Sequence, residues 1–250
     1  MIYLPLALAL SIATLITCFI SGVLSMAGGM ILMGVFGFFL SIPVAMVLHG
    51  VTQSFSNGSR VWIYRKHLKW QVLIYYSAGA FLVLGVFTGI TLVPSKGLMF
   101  ILIGLFPFIA LIIPKKINLD MEHGPVAVMS GIVVTTAQML AGASGPVLDM
   151  FYVQSKMSRE AILGTKAVTQ TLGHLLKLFY YGVLLSAFTA ELPIWIFPVV
   201  VCAAIAGSYL GSFVVAKMSD NQFKTIGRYV IMLIGIIYVG NGVFMLRGNL

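Results

Sequence analysis

Charged residues are scarce in this chain of 250 residues, where Asp, Glu, Lys and Arg together make up 8% against about 25% in soluble domains. The first charged side chain is Arg60. With 60% hydrophobic residues and a mean hydropathy of +1.06, this composition excludes an ordinary soluble protein and indicates a membrane protein. The uncharged start is longer than a signal-peptide core and follows no basic residues, so we expect it to stay in the membrane.

Acidic residues are also few, 6 against 15 basic ones. The basic residues lie at the ends of apolar segments, as the positive-inside rule predicts, so the excess charge does not indicate nucleic-acid binding. Cys18 and Cys202 both lie in apolar segments and are interpreted as free buried thiols. The sequence has no H-E-x-x-H, G-x-S-x-G or C-x-x-C motif and no Walker loop. We therefore expect neither an enzyme nor an ATP-driven pump, and no cofactor.

Long apolar segments without strand-like alternation predict an all-α, polytopic membrane protein. The predicted segments are 4–24, 29–40, 44–64, 70–93, 97–113, 125–142, 146–155, 161–185, 192–216 and 225–246. Segments 29–40 and 146–155 are shorter than the roughly 20 residues of a full crossing. Each follows a break made of small residues, SMAGGM at 25–30 and AGASGP at 141–146.

The second half of the chain repeats the pattern of the first. GGMIL, beginning at Gly28, aligns with SGPVL, beginning at Ser144. After the alignment is shifted by one residue, VTQ at 51–53 aligns with VTQ at 168–170. We therefore predict one transmembrane domain, 1–250, with repeats at 1–116 and 123–250.

Segments 44–64 and 161–185 carry matching polar stripes. Both place their polar residues at relative positions 0, +4, +8, +11 and +15, which fall on one side of a helix. The matched pairs are His49 with Lys166, Gln53 with Gln170, Asn57 with His174, Arg60 with Lys177, and Tyr64 with Tyr181. We expect the two stripes to face each other.

Loop charges predict an inverted arrangement. The basic loops around Lys66, Lys116, Arg159 and Asp220 should be cytoplasmic, and both termini extracytoplasmic. The two striped segments then run in opposite directions. Each repeat would contain a broken, re-entrant helical hairpin, whose tip lies near mid-membrane, and three membrane-spanning helices.

The glycine breaks indicate an anion site. Helices that begin near Gly29 and Gly145 would direct free N–H groups and a positive helix end toward mid-membrane. Small residues such as Gly28 would let a ligand approach the backbone. Ser25 and Ser144 would add hydroxyl donors. The alternative is that the glycines serve only close helix packing.

The cations on the stripes point to the same site. An intramembrane cation costs at least about 2.5–3.5 kcal/mol, so Lys166, Lys177, His174 and Arg60 are predicted to supply a positive field for the anion. Amide contacts would come from three further residues of the stripes, Gln53, Gln170 and Asn57. Arg60 and Lys166 lie near segment ends, where snorkelling is an equal explanation. His49, near the outer end, is also explained as an interfacial histidine.

Asp149 is the only acidic residue deep in an apolar segment. It would either neutralise Lys166 or Lys177, or take up a proton during transport. Its counterpart in the first repeat is Met33, so either role belongs to one half only.

The two glycine-rich breaks and the polar helix after each make the chain resemble the TauE/SafE family of sulfite and organosulfonate permeases. The resemblance implies a multi-pass secondary transporter of small sulfur-containing or carboxylate anions in the bacterial cytoplasmic (inner) membrane, working by alternating access with a proton or sodium gradient. The second break, GASGP, departs from the glycine pair of the first. Two alternatives stay open: an anion channel with the same lining, and a membrane enzyme with His174 as base.

Overall fold

The computed structural model describes residues 3–24, 27–112, 119–152, 155–187, 192–215 and 220–248. Within these ranges the chain forms helices and no strand. The α-helices are α1 (Leu4–Leu24), α2 (Ala27–Phe39), α3 (Ile42–Tyr64), α4 (Trp70–Ile90), α5 (Lys96–Ile112), α6 (Gly124–Ala141), α7 (Gly145–Met150), α8 (Arg159–Lys177), α9 (Ile196–Val215) and α10 (Asp220–Arg247). A short 3₁₀ turn (Arg65–His67) follows α3, and a π-helix (Leu178–Leu184) continues α8.

Local sequence signals set several helix ends. Helices α3 and α6 carry a proline in their first turn, where no N–H is needed. Helix α8 begins after Ser158, whose hydroxyl accepts a hydrogen bond from the N–H of Ala161. Helix α6 ends at Gly142, which has a φ of +76°. A side chain there would be strained and would also overlap Met33, so the second break requires this glycine.

The predicted short arm after the second break is shorter still. It was predicted over 146–155, but α7 ends at Met150. The N–H groups of Phe151 and Tyr152 bond to carbonyls three residues earlier, those of Leu148 and Asp149, so the chain tightens into a turn. With so few residues, α7 contributes little dipole of its own. Of the two helices that follow the glycine breaks, only α2 is long enough to present a positive N-terminus to the pocket.

Helices from the two halves pack in pairs. The principal pairs are α1 with α9, α4 with α6, α3 with α8, and α5 with α10. Exchanging the first five helices with the last five, in order, turns the first two pairs into each other and leaves the last two unchanged. Helices α3 and α8 run antiparallel, since Gly50 lies by Leu178 and Gly164 lies by Tyr64. The inverted orientation across a membrane stays a prediction.

The outer surface is apolar, and several polar and charged side chains lie in the interior beside the buried apolar core. Ile74, Ile236 and Phe244 are more than 60% exposed, whereas His49 and Lys177 are completely buried. In the described ranges, four helices contain stretches long and apolar enough to cross a membrane, namely α1, α4, α6 and α10. The prediction of an all-α, polytopic membrane protein is thus confirmed, with its polar stripes turned inward.

Candidate anion-binding site

One polar pocket lies where the two glycine breaks meet. Together with the open space at its mouth, it comprises about 340 Å³ that protein atoms do not occupy. Its walls come from α1, α2, α3, α6, α8, the break between α6 and α7, and the first residue of α7. The lining residues are Ser21, Gly29, Met30, His49, Gln53, Asn57, Gln138, Ala143, Ser144, Gly145, Gln170 and His174. No carboxylate is among these described residues, so the wall offers amide, hydroxyl and imidazole groups and no negative charge.

The first wall is built on the start of α2. His49 Nε2 lies 2.9 Å from the carbonyl oxygen of Gly29. Because a carbonyl oxygen only accepts, Nε2 carries the proton and donates, which leaves His49 Nδ1 as an acceptor. Gly29 also lies against Gln53, since a methyl at this glycine would sit 3.8 Å from Gln53 Nε2.

Gln53 offers a buried hydrogen-bond donor at the pocket. Its side chain is 4% exposed, and among the described residues its Nε2 has no hydrogen-bond partner. Leaving a buried donor unpaired costs about 1–3 kcal/mol, and such groups are rare in folded proteins. Asn57 lies one turn further along α3 and donates its own amide to the Gln53 carbonyl oxygen at 3.0 Å. A ligand oxygen in the pocket would satisfy the Gln53 amide.

The second wall is a short chain of hydrogen bonds. The Ser144 hydroxyl donates to Gln138 Oε1 at 2.5 Å, and Gln138 Nε2 donates to His174 Nδ1 at 2.7 Å. Because His174 Nδ1 accepts, the proton of a neutral His174 is on Nε2. The rings of His49 and His174 are 5.3 Å apart, so the two walls meet at the imidazoles.

Lys177 lies behind the pocket rather than in its wall. Its Nζ donates to His49 Nδ1 at 2.9 Å and to the carbonyl oxygen of Gly142 at 2.7 Å. The side chain is completely buried. Through these bonds Lys177 connects α8 to α3 and to the end of α6, and its bonded partner His49 lines the pocket.

The remaining predicted cations lie outside the pocket. Lys166, at the beginning of the α8 stripe, forms an ion pair with Asp149 of α7. Arg60, at the opposite end of α3, donates to the carbonyl oxygen of Ser21 at 3.2 Å. Arg60 thus contacts the backbone of Ser21, which lines the pocket.

The structure divides the predicted site residues into two groups. Those that line the pocket are Gly29, Gln53, Asn57, Ser144, Gly145, Gln170 and His174. Those that lie outside it are Gly28, Arg60, Lys166 and Lys177; Ser25 is outside the described residues. Gly28 is packed against α1, where a methyl would overlap the carbonyl oxygen of Thr17. For Gly28, the alternative interpretation of close helix packing fits its surroundings.

Three polar residues of the wall were not predicted as ligands. His49 belonged to the polar stripe but was explained equally well as an interfacial histidine. Gln138 is the only amide in α6 and lies three residues before the break, which is an available signal. Ser21 had no such signal, because isolated serines are common in apolar helices.

Comparison with known families identifies the chain. Residues 10–238 match the family described as sulfite exporter TauE/SafE. The chain belongs to this family. The match includes both glycine breaks and both polar stripes, so the resemblance seen in the sequence is confirmed. No curated protein and no solved structure matches the chain. Family membership and the apolar helices together make it an integral membrane protein of an anion-transporter family.

Proposed function

We propose that the protein is a secondary transporter that carries sulfite, an organosulfonate or a related small anion across the cytoplasmic membrane by alternating access. The observation that supports this most directly is the Gln53 amide, which has no hydrogen-bond partner among the described residues and lies in a pocket whose described lining has no carboxylate. A buried donor of this kind is satisfied when an oxyanion enters. The family description, sulfite exporter, agrees with this ligand class.

The position of the pocket supports alternating access. The walls come from both halves of the chain, Gly29 and Gln53 from the first, Ser144 and His174 from the second. The pairs α1 with α9 and α4 with α6 occupy equivalent positions in the two halves. Such a repeat allows two related packings of the same helices. Rocking of one half against the other would open the pocket to each side in turn. No Walker loop occurs in the sequence, so a gradient would supply the energy.

Donor geometry favours an oxyanion with several oxygens. The Gln53 amide and the His174 Nε2–H come from different helices, α3 and α8, and approach the pocket from two walls. A sulfite or sulfonate group presents three oxygens in different directions and could accept from both walls at once. A spherical halide would leave directed donors poorly satisfied.

The test replaces Gln53 with leucine in purified protein reconstituted in liposomes. A hydrogen bond to a charged group contributes about 1.5–3 kcal/mol, so the sulfite affinity in a counterflow assay should fall roughly ten- to a hundredfold. Thermal stability should not fall, because the substitution removes an unpaired buried donor. Gln71→Leu, at an exposed position of α4, is the matched control and should leave counterflow unchanged.

Two outcomes would contradict the proposal. If Gln53→Leu transports sulfite like the wild type but unfolds earlier, the amide has a structural role and the pocket is not the binding site. If the wild type exchanges neither sulfite, an alkanesulfonate nor a small carboxylate, the proposed function is wrong. Uptake that saturates with sulfite and shows counterflow separates a carrier from a channel, since only a carrier exchanges bound substrate.

A further inference from the structure

Lys177 is a buried lysine that has no carboxylate partner among the described residues. Its two acceptors are an imidazole nitrogen and a carbonyl oxygen, and both are neutral. The carboxylates that form ion pairs in the described ranges do so elsewhere: Asp149 with Lys166, Glu122 with Lys69, and Asp120 with His123. Asp149 cannot serve Lys177, since its partner Lys166 is eleven residues earlier on α8, about 16 Å along the helix.

Few other titratable groups face Lys177. Helix α3 contributes His49, and the α8 stripe contributes His174 and Tyr181, whose hydroxyl donates to the carbonyl oxygen of Met139. Helices α2 and α6 contain no titratable side chain. Helix α4 brings Tyr76, but its backbone packs on Gly131, eleven residues before the Gly142 carbonyl. An anion in the pocket is therefore the nearest available negative charge.

The hydrogen bonds match a neutral amine. An uncharged lysine has two N–H groups, and Lys177 has two acceptors. An ammonium would carry a third N–H, for which the described residues around Lys177 show no partner. Burying an unpaired charge is far more costly than burying a neutral amine. Two neutral acceptors, with no carboxylate partner among the described residues, thus favour Lys177 as a neutral amine.

We infer that Lys177 and His49 together form the proton-binding site of the transporter and that one proton is carried with each anion. The inference rests on the proposed function, since the anion supplies the counter-charge that makes protonation favourable. His49 touches both partners, because it lines the pocket and accepts from Lys177. By linkage, the proton raises the affinity for the anion by the same factor as the anion raises the affinity for the proton.

The proton step involves no redox change. A proton from water adds to the lone pair of Lys177 Nζ and forms an N–H bond, so the amine becomes an ammonium. This proton can also lie on His49 Nδ1, since the two nitrogens share one hydrogen bond, and the positive charge then stands in the pocket wall. When the anion leaves on the other side, the N–H bond breaks and the proton returns to water. Anion and proton move in the same direction, and the two gradients set that direction.

The experiment uses the full-length protein in liposomes with radiolabelled sulfite, the membrane potential clamped at zero and both sides alkaline enough to keep sulfite a dianion. A pH difference of about one unit should drive accumulation of up to about tenfold for one proton per anion. An entrapped pH dye should record one proton entering per sulfite. Sulfite entry without proton entry in the wild type would overturn the inference while leaving the proposed transport intact.

Charge variants of Lys177 give an independent reading. Lys177→Arg is permanently charged, so it should exchange sulfite at equal pH on both sides but lose pH-driven accumulation. Lys177→Met is permanently neutral and should bind sulfite roughly ten- to a hundredfold more weakly. The control, Lys66→Met at an exposed position of the 3₁₀ turn, should match the wild type.

The variants also separate the alternatives. If the substrate itself carried the proton, as bisulfite, Lys177→Arg would accumulate it as the wild type does, and the inference would be wrong. If neither the wild type nor any variant exchanges sulfite, the proposed function fails and the inference fails with it. Should Lys177→Arg not fold, the ratio of protons to sulfite in the wild type still decides the matter.

Discussion

Replacing Gly28 and Gly29 one at a time by alanine separates two roles at the start of α2. The two glycines are adjacent in sequence, and both were predicted to contact the anion. In the structure, a methyl at position 28 would overlap the carbonyl oxygen of Thr17, whereas a methyl at position 29 would meet Gln53 Nε2 at 3.8 Å, an ordinary contact distance. The same substitution should therefore have opposite effects at neighbouring positions.

The expected magnitudes follow from these contacts. Overpacking costs about 1–3 kcal/mol, and the upper value applies to Gly28→Ala because backbone can yield only if α1 and α2 separate. Alanine returns at most about 1 kcal/mol of helix propensity, so the net loss is about 2 kcal/mol. That loss should lower the unfolding midpoint by about 4–8 °C for a chain of this size. Gly29→Ala should unfold no earlier than the wild type.

Transport should show the reverse order. The methyl of Gly29→Ala stands against the Gln53 amide in the pocket, so it should weaken sulfite binding by at least about tenfold through loss of a charge-assisted hydrogen bond. The folded fraction of Gly28→Ala should bind sulfite with an affinity close to that of the wild type. Thermal unfolding in detergent and sulfite counterflow in liposomes measure the two effects. If Gly28→Ala is as stable as the wild type, or if Gly29→Ala loses stability and keeps its affinity, the assignment of the two glycines is wrong.

Two further predictions concern the ion pair and the topology. Asp149→Asn leaves Lys166 unpaired and should lower thermal stability, by less than the about 3–5 kcal/mol of a fully buried pair because the Asp149 side chain is 28% exposed. The double variant Asp149→Asn, Lys166→Met should recover most of this stability and keep pH-driven accumulation, whereas loss of accumulation would make Asp149 the coupling group. In a cysteine-free background, single cysteines placed at two outer loop positions should react with an impermeant thiol reagent added outside the cell. Single cysteines at two inner loop positions should react only after the cells are permeabilised. The outer sites are Ser95 and Ser186, and the inner sites are Lys66 and Lys156. Labelling of Ser186 and Lys156 from the same side would contradict the inverted arrangement.

The partner of Asp149 in its ion pair could not be predicted from the sequence. The sequence offered Asp149 two cationic partners on one helix stripe, Lys166 and Lys177, because both lie on the same side of α8. Their separation of eleven residues along that helix means that one carboxylate can reach only one of them. Which one depends on where α7 ends against α8, and the early end of α7 at Met150 places Asp149 beside Lys166.

The membrane class, the helix positions to within a few residues and the two facing polar stripes can all be predicted from the amino-acid sequence. These follow from local properties, since apolar runs, prolines, glycines and helical periodicity act within a few turns of chain. The packing of helices that are distant in the chain places Gly29 at the pocket and Gly28 against α1. The same packing brings Lys177 to His49 behind the wall. A polar stripe covers a wide arc of its helix, so the neighbouring helices, brought together from distant parts of the chain, select which of its members meet the ligand and which meet each other.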